Sequence, residues 1–192
     1  MKTKPYQTGL KIAIAFFFPA ALLLAGSTSA FGQTTGADSI NLKPNYWGSI
    51  GGGPTTLGAI GLNADVNAEI SDHWFISTEG QVETQTFLNL FGSNVSTASL
   101  NVLTGKVFKQ RLTFITVSAG LGLVDVNTYN SGGLFSNTPS SSQDQYAVNV
   151  PIEVNVYFVP VTPFAVGVGL YANLNAINTT AGVTVRLAFG RM

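Results

Sequence analysis

Residues 146–158, YAVNVPIEVNVYF, decide the fold. Tyr146, Val148, Val150, Ile152, Val154, Val156 and Phe158 fall on every second position, with Ala147, Asn149, Pro151, Glu153, Asn155 and Tyr157 between them. A strand turns successive side chains to opposite faces, so this stretch has one apolar and one polar face. The pattern repeats downstream. Phe164, Val166, Val168, Leu170, Ala172 and Leu174 alternate with Ala165, Gly167, Gly169, Tyr171, Asn173 and Asn175. Val183, Val185, Leu187 and Phe189 alternate with Thr184, Arg186, Ala188 and Gly190. Each run is near the length that crosses a bilayer at a tilt, about 9–11 residues.

Upstream, the same reading gives strands at 46–53, 58–70, 74–85, 96–108 and 112–126. The first is Gly-rich and weakly patterned. In the fourth, Leu100, Val102 and Leu103 break strict alternation. Connections at 71–73, 109–111 and 159–162 are short, and those at 87–95 and 127–145 are long. Eight strands with turns alternating between tight and loose predict an all-β, eight-stranded antiparallel up-and-down transmembrane barrel over residues 45–192. Both termini then lie at the tight-turn, periplasmic end. Aromatics cluster near the strand ends, with Tyr46, Trp47, Trp74, Phe108, Phe158, Phe164 and Phe189 at one level and Phe87, Tyr129 and Tyr146 at the other. That is the placement of interfacial girdles.

Composition agrees. The 192 residues are 45% hydrophobic and only 9% charged, against about 25% charged in soluble domains. The absence of cysteine excludes thiol catalysis and thiolate metal sites. Residues 1–30 read as a secretory signal, with Lys2, Lys4 and Lys11, an apolar run at 12–26, and Thr28, Ser29 and Ala30 for cleavage. Residues 31–44 read as a flexible lead-in. Without the first 30 residues, 162 remain, with six basic and nine acidic side chains, net −3. No basic patch is present to bind nucleic acid.

The period of two does not say which face points inward. A soluble carrier of apolar ligands would put the valine face inside. The polar faces, however, are built from Gly, Asn, Thr, Ser and Gln, with too few charges for a soluble exterior. Small polar side chains suit the crowded lumen of an eight-strand barrel.

On these patterns the chain resembles the small eight-stranded outer-membrane barrels of the OmpA/OmpX type over about residues 46–192. The likeness is one of architecture and carries no signature motif. It implies export to the bacterial outer membrane, a lipid-facing wall and assembly by the barrel-assembly machinery. Such barrels usually end on an aromatic that this machinery reads, whereas here Gly190, Arg191 and Met192 follow Phe189.

A polar lumen brings charges together. The 71–73 turn sets Ile70 opposite Trp74, hence Asp65 opposite Glu79, and like charges so placed need a shared proton or a cation. Arg186 is the strand cation available. With Leu170 across from Leu187, Tyr171 sits opposite Arg186, and Glu153 lies diagonal to Tyr171. The expected luminal network is Asp65, Glu79, Glu153, Tyr171 and Arg186, read either as a gate or as core filling.

No catalytic constellation, metal site or cofactor is implied. His73 is the sole histidine and falls in a turn, so neither a triad nor a histidine metal cluster can form. Glu79 and Glu83 share a strand face but lack a sugar cleft. Gly51, Gly52 and Gly53 lack the helix and lysine of a phosphate loop. Asp125 and Asn127 open like a calcium loop that Tyr129 and Asn130 spoil. Asn94 and Asn178 begin sequons that carry no meaning in this setting. The function expected is a scaffold displaying loops 87–95 and 127–145 to an extracellular partner, with Tyr129, Leu134 and Phe135 as contact candidates. A narrow pore and the soluble carrier are the alternatives.

Overall fold

The structure is a computed structural model that describes residues 45–71, 73–85, 93–130 and 141–191. The predicted signal and lead-in, residues 1–44, lie outside the described residues. Eight strands follow in order: β1 (Tyr46–Pro54), β2 (Ile60–Ser71), β3 (Trp74–Thr84), β4 (Ser93–Lys109), β5 (Thr113–Asn130), β6 (Ser141–Val161), β7 (Phe164–Asn175) and β8 (Thr180–Arg191). Each pairs antiparallel with its neighbours, and β8 closes on β1 from Tyr46↔Arg191 to Gly52↔Val185. Closure leaves no free edge along that seam.

The valine face points out. Leu62, Leu121, Leu123, Val185 and Val168 are all more than half exposed, while Asn63, Gln81, Asn101, Asn149 and Thr184 are buried inside. A soluble domain does not expose so continuous an apolar wall. This is the arrangement of a membrane barrel, and it removes the soluble carrier, whose ligand cavity required the valines inside.

One expectation about faces needs correction. Trp47 is not a girdle residue. It lies in the lumen with Phe75, Val107, Phe114 and Tyr157, at the end where the barrel's own termini, Tyr46 and Arg191, pair. Trp47 is one residue from the exposed Tyr46, and alternation turns such neighbours to opposite faces. The broken alternation of β4 also resolves. Leu100 and Val102 face out, and Leu103 fills the lumen over Gly120, with which it pairs on β5.

Strand lengths differ. β1, β2, β3, β7 and β8 span 9–12 residues, whereas β4, β5 and β6 span 17, 18 and 21. Residues 93–95, 127–130 and 141–145, expected to be loop, belong to these long strands. Their ladder runs to Ser93↔Asn130 and Asn130↔Ser141. The backbone ladder needs no apolar face once it leaves lipid, so it continues where the side-chain pattern ends.

Candidate functional site

The lumen is layered along the strands. Nearest the termini is an aromatic floor. Trp47 meets Phe75 at 5.5 Å and Phe114 at 5.8 Å between ring centroids, and Phe114 stacks on Tyr157 at 4.5 Å. Offset and edge contacts of this kind favour the pairs beyond the area they bury.

Above the floor sits Arg186, 1% exposed. Its Nη2 donates to Asp65 Oδ2 at 2.7 Å and to Glu79 Oε2 at 3.3 Å, and its Nη1 donates to Glu153 Oε2 at 3.2 Å. Asp65 and Glu79 are directly opposed across β2 and β3, and a bulge between Glu69 and Ser71 absorbs the turn without changing that register. Planar guanidinium geometry suits one cation to several carboxylates. Ser49 Oγ donates to the same Asp65 oxygen at 2.6 Å and lies 3.3 Å from Tyr157 OH, linking this layer to the floor. Asn67 adds a bond to Asp65, and Asn155 donates to Glu153 at 3.2 Å.

Tyr171 is not in that cluster. Arg186 pairs with Gly167, and Tyr171 with Gly182, so the β7–β8 register is four residues from the expected one. β8 starts at Thr180, which already pairs with Asn173. Tyr171 and Glu153 are direct rather than diagonal neighbours across β6 and β7. The Tyr171 ring instead lies over Gly182, where a Cβ would stand 2.6 Å from it, and its hydroxyl reaches past Gly61. There it donates to Glu83 Oε1 at 3.0 Å.

Between the charged layer and Glu83 runs a column of amides. Asn101 Nδ2 donates to Glu79 Oε1 at 3.2 Å. Asn149 Nδ2 donates to both Asn101 Oδ1 and Asn173 Oδ1 at 3.0 Å. Asn173 Nδ2 donates to Gln81 Oε1 at 2.7 Å, and Gln81 Nε2 to Glu83 Oε1 at 2.9 Å. Alternation placed these side chains on the polar face, but nothing in one sequence showed that they join across strands far apart in the chain.

Small cavities lie in the lumen against Arg186 and Tyr157 and against Glu83 and Asn149, each with room for about one water-sized sphere. The side chains of Arg186, Glu79, Asn101 and Asn149 are buried in the lumen between the two levels. No three His, Cys, Asp or Glu side chains among the described residues are grouped to hold a metal. His73 sits in the β2–β3 turn at φ 65°.

Beyond the mouth opposite the termini, β4, β5 and β6 project as a three-stranded sheet. The β6–β7 ladder begins only at Asn149↔Asn175, so residues 141–148 of β6 have β5 on one side and no strand of the described chain on the other. Tyr146 is 73% exposed on this stretch. Leu134 and Phe135 lie outside the described residues. Tyr129 is in β5, and its side chain is likewise outside them.

No family model matches the sequence, and neither does any curated protein. Solved structures do match in fold. Ail, the attachment invasion locus protein of Yersinia pestis, is 12% identical with a TM-score of 0.54 over 78% of this chain and 97% of its own. Neisserial surface protein A is 11% identical, with a TM-score of 0.55 over 76% and 94%. The N-terminal β-barrel domain of Pseudomonas aeruginosa OprF is 10% identical, with a TM-score of 0.51 over 76% and 96%. At such identity the likeness is one of fold, that of the small eight-stranded outer-membrane barrels.

Proposed function

We propose that this protein is a non-catalytic scaffold of the bacterial outer membrane that holds the β4–β6 sheet outside the cell for a protein partner. The carrying observation is the edge of β6 at residues 141–148, which no strand among the described residues covers, raised above a closed barrel. An unpaired edge offers a row of backbone donors and acceptors to an added strand. Tyr146 adds an aromatic anchor beside it. The side chains packed through the lumen favour this reading over the narrow pore. Attachment, which the name of the Yersinia protein states for that protein, is the kind of role the projecting sheet would serve here.

The test uses the full chain on intact cells. Deleting residues 131–142 leaves Tyr129 and Asn130 as a two-residue turn closing the Thr128↔Gln143 pair. The shortened barrel should keep its folded band on unboiled gels. A photocrosslinker at Gln145 should capture a protein partner in the parent, one at Val185 on the lipid face should not, and the deletion joined to Tyr146→Ala should abolish capture. Equal capture from both positions, or capture that survives the combined change, would sink the proposal.

A further inference from the structure

The amide column forces a surplus of oxygen acceptors at one place in the lumen. Glu79 and Glu83 end the column, and a carboxylate only accepts. Four amides between two acceptors must carry five donated links. One amide must therefore donate both ways, and that amide is Asn149. Reversing it would turn its carbonyl oxygen onto the carbonyl oxygens of Asn101 and Asn173, whose own NH2 groups are committed to Glu79 and Gln81. The left-over Asn149 Oδ1 is buried, accepts no hydrogen bond, and belongs to a residue with 0% exposure.

Glu83 shows the same surplus. Its Oε1 accepts from Gln81, Tyr171 and Thr180, all within 3.0 Å. Its Oε2 accepts from no protein group, although the residue is 2% exposed. Glu83 and Asn149 line one small cup near the mouth opposite the termini, with Thr97 and Ser99 also lining it and Ser99 Oγ accepting from Asn101 at 3.4 Å. Thr97 pairs directly with Glu83. The only buried base among the described residues, Arg186, is spent on Asp65, Glu79 and Glu153. A buried carboxylate without a counter-charge is costly.

We propose that this cup binds one hard divalent cation of the calcium type, held by Glu83 Oε2, Asn149 Oδ1 and the hydroxyls of Thr97 and Ser99. Calcium accepts carboxylate, amide and hydroxyl oxygens in irregular geometry and would complete its shell with water from the mouth, whereas magnesium demands a near-ideal octahedron that these four oxygens do not set. A single carboxylate sets a weak affinity, on the order of 0.1–1 mM.

Terbium is the probe, since it takes calcium sites and is excited through a nearby tyrosine, here Tyr171. Added to the folded full-length barrel in detergent, it should give sensitised emission that millimolar calcium displaces and equal magnesium does not. Glu83→Gln should weaken binding at least tenfold, while Glu69→Gln, at the other end of the barrel, should leave it unchanged. Should Glu83→Gln fail to fold, Thr97→Val takes its place, with a severalfold loss expected and an unchanged affinity refuting the site. Absence of calcium-displaceable emission overturns the proposal, as does equal displacement by magnesium. Emission that persists in Glu83→Gln and vanishes in Asp144→Asn would put the ion at Asp125 and Asp144 on the outer wall, and would also overturn it.

Discussion

At the scale of single residues, Arg186 matters most to the lumen. It is a buried cation shared by three acids on three strands. Removing one partner of such a group leaves uncompensated charge, at a cost of about 3–5 kcal/mol. Arg186→Met should therefore lower the temperature at which the folded band disappears on unboiled gels, and adding Asp65→Asn and Glu79→Gln should restore part of it. An unchanged temperature in the single variant would show that the contacts carry no stability. The opposition of Asp65 and Glu79 was legible from turn arithmetic, because a tight turn fixes register. The position of Tyr171 was not, because it depended on a connection whose length the sequence left open. Trp47 was misread for a related reason. Its aromatic character suggested an interface, but its parity beside Tyr46 placed it inside.

At the scale of elements, β7 and β8 meet through the Tyr171 ring laid over Gly182. Any side chain at Gly182 must displace that ring and its bond to Glu83. Gly182→Val is expected to cost about 1–3 kcal/mol, read as the midpoint of thermal unfolding in detergent. Tyr171→Ala should cost less in the Gly182→Val background than in the parent, since the two changes share one contact. Strictly additive midpoints would mean that the ring does not rest there. The ends of the long strands were the least legible elements. Residues 127–130 and 141–145 are polar on both faces, so period two vanishes although pairing continues. Pro151 has the converse effect. It sits in the clearest strand of the sequence, yet it has no N–H, and the β5–β6 ladder skips from Ala119↔Ile152 to Gly122↔Asn149 around it.

At the scale of the whole molecule, composition rather than periodicity decided which face meets lipid, since a reversed barrel would show the same alternation. The consequence is a wall of valine and leucine around a lumen filled with aromatic, charged and amide layers. In planar bilayers the folded protein should give no steady single-channel steps. Regular conductance that changes with Arg186→Met would revive the pore and show that the charged layer moves.

Arg186 also belongs to the last strand of the chain, whereas its acidic partners come from β2, β3 and β6. Seven strands assembled as an open sheet would hold Asp65, Glu79 and Glu153 with no counter-ion of their own. The eighth strand delivers the neutralising charge and the final seam in the same event. One strand thus carries both the hydrogen bonds that seal the cylinder and the charge that offsets three acids in its interior.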